Sequence, residues 1–206
     1  RLRDVIRKGI VEEDLLLAAE SLLGQGIANL WLYFMVGLPT ETDDDIDAII
    51  RLVKKVKHHI SKSSEGKRRF RLITVSVNQF IPKPATPFQW LPLEDIRSVK
   101  GKIARLKAAL QREGAVKVLH DLPKWNYVQA LLSLGDRRVG SILLAVHRRE
   151  GNWSQALKET SLNPDFFVYR QKSFAEFLPW DFIDHGTDRT RLWRECRTAL
   201  GGSGSV

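Results

Sequence analysis

Leu30-Trp-Leu-Tyr-Phe-Met-Val-Gly37-Leu-Pro-Thr-Glu-Thr42 is the stretch on which the reading of the fold turns. Its apolar run is rich in aromatics, too short for a buried helix, and bounded by Gly26 on one side and Gly37-Leu-Pro39 on the other. That pattern predicts a strand buried on both faces, the kind that parallel sheets contain. Thr42 then caps a helix, with Asp45 three residues on as its reciprocal partner, and Asp43, Asp44 and Asp45 complement the positive end of the helix dipole. Ile46, Ile49, Ile50, Val53, Val56 and Ile60 recur at three- and four-residue steps along it. A polar loop, Ser61 to Arg71, closes the unit before a second strand, Leu72 to Phe80, where Ile73, Val75 and Val77 alternate with Thr74, Ser76 and Asn78.

Outward from this unit, Glu12 to Leu23 reads as an amphipathic helix stopped by Gly24, and Leu93 to Leu110 as another, with Ile96, Val99, Ile103, Leu106 and Leu110 on its apolar side. The order helix, strand, helix, strand, helix implies right-handed βαβ crossovers and a parallel sheet or part of a β/α barrel. After Gly114 a short apolar stretch, Ala115 to Leu119, is followed by sequence in which strand signals largely disappear. Helical segments are expected near Trp125 to Leu134, Arg137 to Arg149 and Trp153 to Thr160. Asn163-Pro164, Leu178-Pro179 and His185-Gly186 then punctuate an aromatic-rich tail. The expected organisation is an α/β part over residues 1–120, a mostly helical extension over 121–200 and a flexible Gly/Ser end over 201–206.

With 206 residues, 43% hydrophobic and 28% charged, the chain can bury a sizeable core, and disordered, collagenous and coiled-coil classes are excluded. The formal charge of +9 is concentrated between Arg51 and Arg71, where nine basic residues face one acid, Glu65. A solvated helix face and loop is one reading of that run; a phosphate-backbone footprint for RNA, through Lys62, Lys67, Arg68, Arg69 and Arg71, is the other. The single cysteine, Cys196, excludes an internal disulfide and any multi-thiolate metal site built from these residues alone. No apolar run is long enough to span a bilayer and no signal peptide is visible, so the expected compartment is the cytoplasm or an organelle interior, with no membrane partner. The sequence starts at Arg1 in helical-looking residues with Met35 as its one methionine, which suggests a piece of a longer polypeptide.

Chemistry is expected at the carboxyl end of the first strand, where Gly37-Leu-Pro-Thr-Glu-Thr42 turns into the capped helix, because α/β folds place their ligands at that edge. It is not a P-loop, since no Gly-Lys-Ser/Thr follows. Glu41 can hydrogen-bond a ligand or simply sit near the helix dipole. Thr74, Ser76 and Asn78 can face a barrel lumen and touch a nucleoside, or satisfy one another. Pro82, Pro84 and Pro87 stiffen a loop carrying Lys83, which with Asp121, Lys124, Asp181, Asp184 and His185 is a candidate substrate contact. Two acids and one His near Asp181-Phe-Ile-Asp-His185 lack a full metal-ligand set, so no metal site is assigned. His58 and His59 read as solvated, and Cys196 as an ordinary helix thiol.

Tyr33-Phe-Met-Val-Gly-Leu-Pro-Thr-Glu-Thr42, the acidic helix after it, and Ser76-Val-Asn-Gln-Phe-Ile-Pro-Lys-Pro-Ala-Thr-Pro-Phe88 together resemble the second half of a radical S-adenosylmethionine enzyme core. Arg7-Lys-Gly-Ile10 with Glu12-Glu-Asp14 is similar to that family's fourth barrel helix, and the resemblance covers roughly residues 1–112. It implies that the two strands are the fifth and sixth of a partial (β/α)6 barrel whose earlier half is the missing partner. The tail, including Leu122-Pro-Lys-Trp125, Gly135-Asp-Arg-Arg138 and Leu178-Pro-Trp-Asp-Phe-Ile-Asp-His-Gly186, resembles a group that carries a cobalamin-binding-type domain before the core. The implied cofactors of the full-length parent are S-adenosylmethionine and a 4Fe–4S cluster, with cobalamin as a further possibility. The cluster of that family is held by a CxxxCxxC loop after its first strand, and this sequence has no such loop. Either the cluster half lies outside these residues or the chemistry has been lost, and the chain alone is expected to be catalytically silent. By the same resemblance Met35 makes an apolar contact to the adenine, Gly37 gives a close backbone approach, Glu41 stands at the ligand-facing turn, and Ser76, Val77 and Asn78 supply the backbone edge that pairs with the adenine. Tyr33 departs from a position that is often small in the family. A non-catalytic RNA-binding module is the alternative reading.

Overall fold

A computed structural model describes residues 1–63 and 70–201 of the chain. They fall into two compact units, Arg1–Phe80 with Ile96–Leu122, and Ile81–Asp95 with Pro123–Val206.

In the first unit, α1 (Leu2–Val5) and α2 (Glu12–Gly24) precede β1 (Asn29–Val36), and α3 (Asp43–Ser63), β2 (Leu72–Gln79), α4 (Ile96–Leu110) and β3 (Val116–His120) follow. The three strands form one parallel sheet in the order β1-β2-β3. Helices thus alternate with parallel strands, as the 3.6- and 2-residue periods require. The coarse expectation of an α/β fold with a parallel sheet is met.

The register fixes what each face carries. Leu30, Val36, Ile73, Val75 and Val77 pack with Ala19 and Leu23 of α2, with Ile46, Val53, Val56 and Ile60 of α3, and with Val99, Ile103, Leu106 and Leu110 of α4. Each Val, Leu or Ile among them contributes about 1.5–3 kcal/mol when fully buried, so this is where the unit's stability resides. Side chains of the opposite parity stand on the other face, in the cross-strand rows Trp31–Thr74–Lys117, Tyr33–Ser76–Leu119 and Met35–Asn78.

Two expectations are corrected here. The Leu30–Val36 strand is not buried on both faces: Trp31 is 53% exposed, Tyr33 67% and Met35 36%, because α2, α3 and α4 cover one side of the sheet. The short apolar stretch Ala115 to Leu119, to which the pattern assigns no strand, overlaps a third strand, Val116-Lys-Val-Leu-His120. It escapes pattern reading because it has five residues, half-buried at most, with Lys117 and His120 breaking the apolar run. Among the described residues β1 pairs only with β2 and lies at an edge of the sheet.

The N-terminus of α3 differs in detail from a reciprocal capping box. Asp45 Oδ2 accepts the Thr42 backbone N–H at 2.8 Å, but the Thr42 hydroxyl also donates to that oxygen, at 2.9 Å, instead of accepting a backbone N–H. Arg1 donates to the same carboxylate and to the Thr40 carbonyl at 2.9 Å. Burial pushes Asp45 up, but the hydrogen bonds from Thr42 and then Arg1 outweigh it and hold the carboxyl below its ordinary value.

The second unit is helical: α5 (Pro123–Leu134), α6 (Val139–Arg148), α7 (Trp153–Glu159), α8 (Asp165–Val168) and α9 (Arg189–Ala199). The Pro-rich segment belongs to it, since Leu93 joins Ala130, Leu131, Val139, Ile142, Val146, Ala156, Phe167 and Val168 in its core. Backbone bonds tie the segment in: Leu93 N–H donates to the Val168 carbonyl at 2.9 Å and Lys172 N–H to the Trp90 carbonyl at 2.8 Å. The fully buried Trp90 ring packs against Phe174 and Trp193, at centroid separations of 6.2 and 5.1 Å. Gly135 separates α5 from α6 because a Cβ there would meet Val139 Cγ2 at 2.4 Å and the Leu131 carbonyl oxygen at 2.5 Å. Asn152 and Asp188 cap α7 and α9 through their side chains.

Candidate functional site

All three strands of the sheet are parallel, so their carboxyl ends share one edge, and the Gly37–Thr42 turn leaves that edge from β1. Two residues of the turn have left-handed backbones, Gly37 with φ 77° and Thr40 with φ 64°. The first explains the glycine, which has no Cβ to clash in that region; the second places a β-branched residue where few non-glycine residues sit. Glu41 closes the turn on itself. Its N–H donates to the Leu38 carbonyl at 3.1 Å and its Oε1 accepts the Gly37 N–H at 3.0 Å. Lys102 Nζ, from α4, donates to the same Oε1 at 2.6 Å, and the two side chains are 14% and 1% exposed. The other carboxylate oxygen, Oε2, is buried and has no hydrogen-bond partner among the described residues.

The six residues singled out at this edge divide into three groups. Met35, Ser76 and Asn78 lie on the open sheet face, with Met35 directly across from Asn78 and Tyr33 across from Ser76. Ser76 and Asn78 are half-buried. Gly37 and Glu41 sit just beyond, in the turn. Val77 points the other way, into the helix-packed core at 1% exposure, and β2 is the central strand, so its backbone is flanked by Phe34 on one side and His120 on the other. The open face also carries the Trp31–Tyr33 stack, with centroids 6.1 Å apart and planes 26° from parallel. Thr74, on this face as expected, is buried.

Most of the other candidates have partners of their own. Lys83 Nζ donates to Ser133 Oγ at 3.0 Å, and burial holds its amine below the ordinary lysine value. Asp181 accepts the Leu178 N–H at 2.8 Å and Arg189 Nη1 at 2.6 Å, while Asp184 accepts the Gly186 N–H at 2.8 Å in a local turn. His120 Nδ1 lies 2.8 Å from the Asp121 carbonyl oxygen, Lys124 sits over the Trp125 ring at 5.1 Å, and His185 is exposed. Cys196 is buried, which pushes its thiol up to about 11. Among the described residues no group of three or more His, Cys, Asp or Glu can hold a metal ion. With one cysteine in the sequence, these residues offer no donor set for an iron–sulfur cluster.

Part of the basic run is engaged inside the first unit. Lys54 and Lys57 pair with Glu113 at 3.0 and 3.1 Å, Lys55 with Glu12, and His59 Nε2 lies 3.1 Å from Glu20 Oε2. The lysines hold Glu113 below its ordinary value, and the Glu12 hydrogen bond raises Lys55. Lys62 and Arg71 are exposed; Lys67, Arg68 and Arg69 lie outside the described residues.

Two residues were not legible as special in the sequence. Lys102 resembles the other lysines of α4, and its partner is 61 positions away. Lys172 looks like a tail lysine, yet it is 4% exposed, with Nζ donating to the Phe167 carbonyl at 3.3 Å.

The chain is similar to the uncharacterized protein MJ0966 of Methanocaldococcus jannaschii, 38% identical over 144 residues that make up 69% of this chain and 29% of that protein. The chain therefore spans less than a third of the length of the curated relative it matches. No family model matches the chain, and no solved structure matches it significantly. No described helix is long and apolar enough to cross a membrane.

Proposed function

We propose that the chain is the C-terminal portion of a radical S-adenosylmethionine enzyme, contributing the adenine-facing side of the cofactor site and a helical, substrate-shaping extension. The observation that carries this reading is the coincidence, at one sheet edge, of the motif glycine turn with an uncovered face on which Met35 and Asn78 are neighbours. Met35 offers an apolar contact for a purine, while Ser76 and Asn78 offer polar groups beside it. The β1 edge, which has no strand partner among the described residues, and the exposed Trp31 and Tyr33 are what a barrel wall presents when the preceding strands are supplied from elsewhere. A relative more than three times as long as the matched segment fits that arrangement. S-adenosylmethionine suits this face; the 4Fe–4S cluster does not suit these residues, so no reaction step is assigned to them, and cobalamin has no assigned contact.

Amide shifts in a titration of the isotope-labelled chain with S-adenosylmethionine test the reading. Saturable shifts concentrated at Met35–Glu41 and Ser76–Asn78 are expected. Shifts absent there, or confined to the second unit, would refute it. RNA contact is the second proposal, resting on the exposed Lys62 and Arg71 together with Lys67, Arg68 and Arg69. Substituting these five by Ala is expected to flatten the salt dependence of RNA binding, and an unchanged slope counts against it.

A further inference from the structure

We propose that Lys102 is a positioning residue for the turn that follows β1: its ion pair clamps Glu41 across the turn, and the ligand-ready shape of Gly37–Glu41 depends on that clamp. The inference deepens the cofactor-site reading above and rests on it for the identity of the ligand. The turn contains two left-handed residues in four, one of them a threonine, so its conformation is not the one the chain would choose alone. What opposes relaxation is Glu41, whose Oε1 receives both the Gly37 N–H and the Lys102 ammonium. A carboxylate only 1% exposed is tolerable as an anion because a cation lies 2.6 Å away. Without Lys102 the carboxylate would be buried without a counter-ion, and its escape to water would take the acceptor away from Gly37.

Hydrogen exchange and the same titration, run on the full 206-residue chain, test the clamp. In Lys102→Met the Gly37 amide is expected to exchange about tenfold faster, the factor that one lost hydrogen bond confers, while Ile73 and Val75 in β2 keep their wild-type rates. Lys102→Arg, which keeps the charge, should restore Gly37 protection. A double variant, Lys102→Met with Glu41→Gln, should restore it too, because the amide oxygen accepts the Gly37 N–H without leaving a charge buried. The double variant also keeps the test open if Lys102→Met alone fails to fold. S-adenosylmethionine shifts should be at least tenfold harder to saturate in Lys102→Met than in wild type. The proposal is overturned if Gly37 exchange is unchanged, or if it speeds up only in step with Ile73 and Val75, as general destabilisation would cause. It is equally overturned if wild type and Lys102→Met bind alike. Should wild type show no shifts at all, the cofactor-site reading fails, and the Gly37 exchange rates still decide whether the clamp exists.

Discussion

Between pH 8 and 10.5 the contribution of Lys172 to the stability of the helical unit should rise with pH, against the usual alkaline trend. This side chain is 4% exposed and its ammonium has one hydrogen bond, to the Phe167 carbonyl at 3.3 Å near the end of α8. Burial is the main reason its amine falls from 10.5 to about 8; the neighbouring Arg170 guanidinium pushes in the same direction, and Glu176 opposes both. A value depressed in the folded state means that between pH 8 and 10.5 the unfolded chain holds the proton and the folded chain does not. Stability therefore rises with pH across that window, and it is lost as pH falls back through 8. A fall of that size corresponds to about 3 kcal/mol at 1.36 kcal/mol per unit. Lys172→Met removes the titration and keeps most of the volume. Near neutral pH the variant should be more stable by about 2 kcal/mol, the 3 kcal/mol of relieved burial less about 1 kcal/mol for the lost hydrogen bond. Urea unfolding followed by tryptophan fluorescence reads this unit well, since Trp90, Trp180 and Trp193 all belong to it. The quantity to plot is the difference in unfolding free energy between variant and wild type, which cancels every other titrating group. It should shrink steadily from pH 8 to 10.5. A flat difference, or one that grows, would refute the reasoning.

Cys196 acts in the opposite sense: its thiol is raised by burial from 9.0 to about 11, so stability present below pH 9 is lost as the pH rises toward 11. Cys196→Ala should abolish that loss in the same urea series, and an unaltered alkaline decline would show that another group causes it. Trp31→Ser combined with Tyr33→Ser should cost the isolated chain only about 1 kcal/mol, because both rings are mostly exposed and lose little beyond their mutual stack. Light scattering should show less self-association in that double variant. A loss above about 3 kcal/mol would mean that the open face is already covered in solution.

Much of the first unit was legible because its period is unambiguous. The apolar steps of α3 and α4 and the alternation in β2 have one structural solution each, and the parallel order followed from the helices between the strands. The Pro-rich segment was harder. Its prolines exclude a helix, but nothing local says that Leu93 would reach Val168, or Trp90 meet Lys172, 75 and 82 residues later in sequence. The site divided along the same line. Glu41 stood out because a turn at a strand's carboxyl end is where a carboxylate has work to do, whereas Lys102 and Lys172 acquire their roles only from partners that folding brings to them.

The reading of β1 failed in a more instructive way. A continuous apolar run states that both faces of a strand are meant to be dry, but not what dries them. Here α2, α3 and α4 supply one cover, and Trp31, Tyr33 and Met35 carry the apolar pattern onto a side that the described residues leave open. Covering those three side chains would remove a few hundred Å² of apolar surface from water, worth on the order of 5–10 kcal/mol before the ordering costs of association. A gain of that size rivals the net stability of a small domain. The residues that made the strand look doubly buried are thus the ones with most to gain from any neighbour that covers this face. The misfit between pattern and exposure is the physical argument for seeking that neighbour along the β1 edge, where the backbone has no strand partner among the described residues.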